Sequence, residues 1–420
     1  MTAEILKLTK SLSPLTLKTI DAKIIFDGEN ICMVKKDEEG REYKTLVEKD
    51  KELYLLFTKL TGESSAKKQF ISAYVSSKCN LNCQVCYERY GNNKEVSLEE
   101  IKELSEKYKN CRIGVTGMEP TCREDIFELI KIVRNNHSLV TNGIKLASLE
   151  YVQKLKMHGL KRTCFSLNGF NDEIYQKMNG GNLLETKLKA LKNIELEKID
   201  TLLSATIARS INEDQILPLV EFCFGHRSFI IGLRIRTLAQ MGKHLNSEQI
   251  CMSELIELAA NSLSISKADI ITEFCFIQAF IEKFSKILPK GFKDHYGVKL
   301  CSFVFNVLKE SDGGYSSPGL RIDLDNINKS KFKSFSLFYY LIRAYGPFIL
   351  IETALHVLNL RRFIVQKKIL NITLKCWPNL YNIDLAEMNK CPHVYYKNGE
   401  MEKFCISNIK DSVKKERIIK

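Results

Sequence analysis

The sequence predicts an α/β fold: a partial (βα)6 barrel with a small N-terminal β-hairpin appendage and a mainly helical C-terminal region that ends in a Cys-bearing hairpin. From about residue 70, short apolar runs alternate with amphipathic helical patterns, which is typical of βα units on a parallel sheet. Ser97 and Glu100 form a capping-box pattern, as do Thr121 and Glu124, so helices are expected after the first two strands. The predicted strands are Phe70–Ser76, Arg112–Val115, Ser138–Thr141, Arg162–Leu167, Leu202–Ile207 and Ile230–Arg236.

The regions before and after the barrel have other patterns. Residues 23–60 predict a β-hairpin followed by a helix, and the tail holds two hairpin-like pieces, Cys301–Leu324 and Cys391–Cys405. The resulting division is 1–69 for the appendage, 70–243 for the barrel and 244–420 for the C-terminal region. Since no Gly/Ser linker separates them, we expect the three parts to pack as one body.

Composition limits the class of protein. The 420 residues are 45% hydrophobic and 27% charged with only 8 Pro, which argues against disordered and collagen-like chains. The 63 Lys and Arg exceed the 50 Asp and Glu by 13, but the basic residues are scattered, so nucleic acid is not the favoured partner. The first residues lack the apolar run of a secretory signal, which predicts a cytoplasmic protein.

The most apolar stretch, Phe335–Ile351, contains Arg343 and the Gly346–Pro347 pair. A membrane span needs about 18 or more uninterrupted apolar residues, so buried helices are the favoured interpretation. Contact of this stretch with a membrane surface or an apolar substrate is the alternative.

Three cysteines follow the first barrel strand directly. Cys79, Cys83 and Cys86 form a Cys-x3-Cys-x2-Cys run. In a reducing compartment, clustered cysteines are better candidates for metal ligands than for disulfides. Three thiolates can hold three corners of an iron–sulfur cube and leave one iron open, whereas a structural zinc ion would need a fourth protein ligand. The spacing of the cysteines alone does not decide between an iron–sulfur cluster and a structural zinc ion.

This run, followed by Tyr87 and placed after strand one of a βα barrel, resembles the radical S-adenosylmethionine (SAM) superfamily. The resemblance implies a [4Fe-4S] cluster on the three cysteines. It also implies SAM bound to the open iron, where one electron cleaves it to a 5′-deoxyadenosyl radical. Tyr87 stands at the aromatic position where the family's backbone meets adenine.

Further family landmarks follow the next strands. Gly117-Met118-Glu119-Pro120-Thr121 is similar to the family's Gly-Gly-Glu-Pro-Thr, and Thr141-Asn142-Gly143 to its Thr-Asn-Gly. Ser166-Leu167-Asn168-Gly169 resembles Ser-Leu-Asp-Gly, with Asn168 in place of Asp and Met118 in place of the second Gly. The resemblance therefore implies SAM contacts at Tyr87, Gly117, Glu119, Pro120, Asn142, Ser166 and Asn168. An inward-facing Arg236 would suit the SAM carboxylate; an ion pair with a neighbouring helix is the alternative.

Both ends of the chain resemble the branch that contains archaeal tetraether lipid synthase and pterin-modifying methylases. The shared features at the C-terminus are the Tyr381–Leu385 segment, the Cys391–Tyr396 segment and the tail from Gly399 to Cys405. At the N-terminus, the Val34–Gly40 hairpin matches a segment that carries metal-binding cysteines in that branch. The N-terminal accessory metal-site cysteines of that branch are missing, since the hairpin keeps Cys32 alone. Cys301, Cys376, Cys391 and Cys405 are enough for a second [4Fe-4S] cluster if the fold brings them together, or they are buried thiols.

The favoured function is hydrogen abstraction from an unactivated carbon, for C–C bond formation or methyl transfer on an apolar or small-molecule substrate. The substrate would be a small molecule, lipid or peptide, and a reductase, ferredoxin or flavodoxin would donate the electron. One alternative is a maturase of a ribosomally made peptide, with the N-terminal hairpin adding a strand to the peptide. Another is a zinc-stabilised nucleic-acid-binding protein.

Overall fold

The computed structural model describes residues 3–60, 70–88, 93–109, 111–133, 137–241, 248–284, 286, 301–330, 333–345 and 368–418. Residues 61–69 and the part of Phe335–Ile351 beyond residue 345 lie outside the described residues. None of the described helices has the length and apolar character that a membrane crossing requires.

The N-terminal residues form a four-stranded antiparallel sheet in the order β1-β2-β3-β4, where the sequence predicted a hairpin. Lys7 on β1 pairs with Asp384 at 2.8 Å and Glu387 at 2.6 Å, which ties this sheet to the C-terminal region. The predicted helix follows. These elements are β1 (Glu4–Leu12), β2 (Thr19–Phe26), β3 (Ile31–Lys36), β4 (Glu42–Glu48) and α1 (Lys51–Leu60).

The six predicted barrel strands are confirmed and run parallel, each paired with the next along the chain. They are β5 (Phe70–Ser76), β6 (Ile113–Gly117), β7 (His137–Thr141), β8 (Arg162–Ser166), β9 (Asp200–Ile207) and β10 (Ile230–Thr237). The helices between them are α2 (Leu98–Lys107), α3 (Ile126–Val133), α4 (Leu149–Met157), α5 (Asp172–Asn179), α6 (Leu184–Leu196) and α7 (Ile216–Gly225).

One of the two predicted capping boxes is present. Ser97 caps α2, and Glu100 completes the box. The box predicted at Thr121 is wrong, because Thr121 lies inside a short turn that Glu119 caps and not at the start of a helix. Residues 120–122 form a 3-10 turn, and α3 begins only at Ile126.

The C-terminal region adds strands to both edges of the barrel sheet, which thereby reaches eleven strands. One predicted hairpin pairs β11 with β12, and β13 joins β11 to β10. The other pairs β14 with β15, and β14 runs parallel to β5. The elements are α8 (Met252–Leu263), α9 (Lys267–Lys283), β11 (Ser302–Lys309), β12 (Tyr315–Ser316), α10 (Leu324–Lys329), α11 (Lys333–Tyr345), β13 (Ile369–Lys375), α12 (Leu385–Lys390), β14 (His393–Lys397), β15 (Glu400–Lys403) and α13 (Phe404–Ile418).

This sheet curls as a partial barrel, so side chains that are far apart in its strand order come into contact. Trp377 follows β13 near one end, and Phe404 follows β15 at the other; their ring centroids are 5.6 Å apart. The boundaries predicted at 69/70 and 243/244 stay a prediction.

Gly143, two residues beyond the end of β7, should tolerate no side chain. Its φ is +84°, and an added Cβ would lie 2.2 Å from the Phe165 ring. We expect Gly143→Ala to lower the free energy of unfolding by about 2 kcal/mol or more, measured by urea denaturation. Gly181→Ala is the control, since an added Cβ there meets nothing within 4 Å. Equal effects of the two substitutions would contradict this account of the strand end.

Candidate active site

The three cysteines lie in the loop that follows β5. Cys79 Sγ accepts hydrogen bonds from Leu81 N at 3.4 Å and from Asn142 Nδ2 at 3.8 Å. Cys83 Sγ accepts from Asn179 Nδ2 at 3.1 Å. N–H donors thus point at two of the three sulfurs, an arrangement that stabilises negative charge on sulfur.

The donor types in this loop suit an iron–sulfur cluster, whose irons take cysteine thiolates as ligands. No three His, Cys, Asp or Glu side chains of the described residues converge on one point as the ligands of a single metal ion do. A cube offers a separate iron to each thiolate, so its three cysteines need not converge. Burial raises the pKa of Cys79 to about 11 and that of Cys86 to about 12. Metal binding would therefore have to release their protons.

Glu119 is a buried carboxylate at the end of β6. Its Oε1 accepts from Thr121 N at 3.1 Å, from Thr121 Oγ1 at 2.6 Å and from Thr141 Oγ1 at 2.8 Å. Its Oε2 accepts from Asn142 N at 2.6 Å. Burial raises the pKa of Glu119, and the four donors oppose that rise. Oε2 keeps the capacity for one more donor, which suits an amino group of a ligand.

Gly117 carries the unusual backbone geometry of this strand end. Its φ is +131°, and an added Cβ would lie 2.5 Å from the carbonyl oxygen of Ser76. Met118, where the family has Gly, has no positive φ. Pro120 begins the buried 3-10 turn that Glu119 caps. The substitution at Met118 is therefore compatible with the backbone at that position.

Asn142, after β7, links two parts of the site. Its backbone N–H donates to Glu119, and its Nδ2 donates to Asn80 Oδ1 at 2.8 Å as well as to Cys79. Its side chain is half-buried. Asn142 therefore connects the carboxylate to the cysteine loop.

Asn168, after β8, is buried, and protein partners hold its amide. Its Oδ1 accepts from Thr206 N at 3.0 Å, and its Nδ2 donates to Asn179 Oδ1 at 3.4 Å. Ser166 is half-buried, and its carbonyl oxygen accepts a hydrogen bond from Lys187. The ribose contact of Asn168 that the sequence predicted stays a prediction.

Arg236 on β10 is half-buried and has uncharged partners among the described residues. Its Nε donates to Thr206 Oγ1 at 3.2 Å, and its guanidinium lies 5.9 Å from the centre of the Tyr87 ring. The ion pair with a neighbouring helix, the alternative at this position, is not formed within the described residues. Arg236 is therefore available to a carboxylate ligand.

Comparison with known proteins agrees with this geometry. The model of the radical SAM superfamily matches residues 74–223, which include the cysteine loop, Glu119, Asn142 and Asn168. The chain contains a radical SAM domain, and it is an enzyme. That family's chemistry assigns it an iron–sulfur cluster and SAM as cofactors and requires an electron donor.

Two curated proteins are similar to this chain over different lengths. The chain is 26% identical over 343 residues to 7,8-dihydro-6-hydroxymethylpterin dimethyltransferase of Methanocaldococcus jannaschii, covering 71% of this chain and 68% of that protein. It is 37% identical over 134 residues to a probable GTP 3',8-cyclase of Methanococcus aeolicus, covering 29% of this chain and 44% of that protein. The chain thus spans less than half of this cyclase.

Solved structures are more distant. Native anSMEcpe with bound AdoMet is 18% identical, with a TM-score of 0.35 over 46% of this chain and 59% of that one. A TM-score this low supports no inference about ligand or reaction.

Lys187 on α6 is a further residue of the site, and the sequence motifs did not point to it. This lysine is buried, and its Nζ donates to the carbonyl oxygens of Asn142 at 2.8 Å and Ser166 at 2.7 Å. Burial lowers its pKa to about 8, while Cys83 and Glu119 act to raise it. Its burial could have been predicted from the helical repeat, because Lys187 lies on the same buried face of the helix as Leu191 and Ile194.

The predicted auxiliary cysteines lie near one another. Cys376 N donates to Cys301 O at 3.0 Å. Burial raises the pKa of the Cys405 thiol, and the neighbouring Cys301 and Cys391 raise it further. Cys301 likewise contributes to the raised pKa of Cys376. Cys301 therefore lies near Cys376 and Cys405, and Cys391 lies near Cys405.

Lys187 should be needed to hold β7 and β8 together. Lys187→Met leaves two buried carbonyl groups without their donor, at about 1–3 kcal/mol each. We expect the free energy of unfolding, measured by urea denaturation, to fall by about 2 kcal/mol or more. Lys189→Met, at an exposed position of the same helix, is the control. If both substitutions cost the same, Lys187 has no such role.

Proposed function

We propose that the cluster is held by Cys79, Cys83 and Cys86 and that SAM binds beside it. The enzyme then abstracts hydrogen from an unactivated carbon, for C–C bond formation or methyl transfer on an apolar or small-molecule substrate. The observation that carries the proposal is the cysteine loop, where N–H groups of Leu81, Asn142 and Asn179 face the sulfurs. When bound and reduced, the cluster supplies the electron that cleaves SAM at its sulfonium.

Arg236 is the candidate for the carboxylate of SAM. Its guanidinium has Thr206 and Tyr87 as described partners, and neither neutralises its charge. A planar guanidinium binds a carboxylate through two parallel hydrogen bonds, and partial burial strengthens them. The remaining acceptor site of Glu119 suits the amino group of the same ligand, so the two charges of the amino acid end have separate partners.

A cluster of aromatic side chains lies beside the cysteine loop. Tyr87 contacts Trp377, with centroids 5.7 Å apart, and Phe404, with centroids 6.1 Å apart. These contacts fix the backbone of the loop just after Cys86. They support the proposed contact of adenine with the backbone at Tyr87, because this packing holds that backbone in one position.

The reaction type rests on the pterin dimethyltransferase relative, whose match extends over most of both chains. Methyl or methylene transfer to carbon is therefore the favoured outcome of hydrogen abstraction. The electron donor is proposed to be a reductase, ferredoxin or flavodoxin, and the location cytoplasmic. A lipid or peptide substrate and a membrane-surface contact remain proposals from the sequence alone.

Removal of the three cysteines should abolish the chemistry. After anaerobic reconstitution, we expect the wild type to bind about four irons at this site and to release 5′-deoxyadenosine from SAM under reduction. Cys79/Cys83/Cys86→Ala should lose both. Cys32/Cys111/Cys275→Ala, three thiols outside the loop, is the control and should keep both. Zinc in place of iron, with no deoxyadenosine, would overturn the proposal and make the loop structural.

We also propose a second [4Fe-4S] cluster on Cys301, Cys376, Cys391 and Cys405, supported by the proximity of these thiols. Wild type should then hold about eight irons. The variant with all four of these cysteines replaced by Ala should hold about four irons, because Cys79, Cys83 and Cys86 keep their cluster. Iron analysis measures the difference. A wild type with only about four irons would contradict the second cluster and leave the first untouched.

A further inference from the structure

A line of three hydrogen bonds leads from β9 to the sulfur of Cys83. The backbone N–H of Thr206 donates to Asn168 Oδ1 at 3.0 Å. Asn168 Nδ2 donates to Asn179 Oδ1 at 3.4 Å, and Asn179 Nδ2 donates to Cys83 Sγ at 3.1 Å. Two side-chain amides thus connect a barrel strand to one of the three cysteines.

The backbone N–H of Thr206 decides which group donates and which accepts at each step of this line. The backbone nitrogen of Thr206 can only donate, so the oxygen of the Asn168 amide must face it. The NH2 group of Asn168 then faces Asn179, which has to present its own oxygen. The NH2 group of Asn179 is left facing Cys83. One backbone donor therefore orients both amides.

The surroundings keep the two amides in place. Asn168 is 3% exposed and Asn179 is 8% exposed. The Asn212 Nδ2 holds the carbonyl oxygen of Asn168 at 2.8 Å. Asn179 ends α5, whose Met178 carbonyl oxygen accepts from Gln84 N in the cysteine loop at 2.9 Å. Water has little access to replace either amide as a donor.

We propose that Asn168 and Asn179 are positioning residues that raise the reduction potential of the cluster through the N–H···S bond to Cys83. This inference rests on the proposed function, in which Cys83 is a cluster ligand. A reduced cluster carries more negative charge on its sulfurs than an oxidised one, so a donor at sulfur stabilises the reduced form more. Asn at position 168 is required because an aspartate has no N–H to give to Asn179.

Asn168→Asp tests this relay, the line of three hydrogen bonds from Thr206 to Cys83, with a substitution that keeps the shape of the side chain. Its second carboxylate oxygen would face Asn179, whose amide would turn to donate to it and would place its oxygen against Cys83. Asn179→Ala removes the last donor directly. In reconstituted protein, we expect each variant to lower the midpoint potential by about 59 mV, a tenfold change in the one-electron equilibrium. An EPR-monitored redox titration measures this shift.

The double variant separates a relay from two independent effects. Asn168→Leu, which is neutral and of similar size, removes the donor to Asn179 without adding charge. If Asn168 acts only through Asn179, then Asn168→Leu in the Asn179→Ala background should shift the potential no further. Asn193→Ala is the matched control, because this buried amide on α6 donates to Leu146 O at 3.0 Å and lies outside the line. The midpoint potential of the Asn193→Ala variant should equal that of the wild type.

The outcomes are distinguishable. Full iron content with unchanged potential in both single variants overturns the inference and leaves the proposed function standing. Additive shifts in the double variant overturn the relay. A wild type that takes up no cluster refutes the proposed function, and the inference fails with it. If Asn168→Asp does not fold, Asn179→Ala alone decides whether the donor at Cys83 matters.

Discussion

The carboxylate of Glu119 is the group on which the ligand-binding edge of the barrel depends. It accepts hydrogen bonds from Thr121 in the 3-10 turn, from Thr141 at the end of β7 and from the backbone of Asn142. These bonds connect the turn after β6 to the end of β7. A buried carboxylate is costly unless it is hydrogen-bonded, and four donors offset that cost here. The ends of β6 and β7 therefore have one stable arrangement.

Other contacts extend this arrangement to the cysteine loop. Asn142, held by Glu119 through its backbone, uses its side chain on Asn80 and Cys79. Lys187 binds the carbonyl oxygen of the same Asn142 and that of Ser166, so the end of β8 joins the set. The loop is thus ordered by groups that belong to the barrel itself, which favours a preorganised site over one that the cofactor must fold.

Much of this fold was predictable, because its signals are local. Six apolar runs separated by helical patterns gave the barrel strands, and the motif residues after each strand necessarily met at one edge of a parallel sheet. Asn179, Lys187 and the strand β1 were missed. The first two act through partners 96 and 45 residues away, and no local pattern encodes such contacts. The capping box at Thr121 failed because Thr121 lies inside the 3-10 turn that Glu119 caps, and the helix begins only at Ile126.

Met118 and Asn168 depart from the family pattern, and the structure gives a different reason for each. The positive φ at this strand end belongs to Gly117, so Met118 needs no special backbone. Asn168 instead uses an amide hydrogen that an aspartate lacks, and the sequence alone gave no partner for it.

The most direct test of the site is whether one iron is open to SAM. The EPR spectrum of the reduced, reconstituted protein should be recorded with and without SAM. Three cysteines and an open iron predict that the spectrum changes when the amino and carboxylate groups of SAM become ligands. An unchanged spectrum at full iron content would mean that no iron is open to SAM, which would contradict the account.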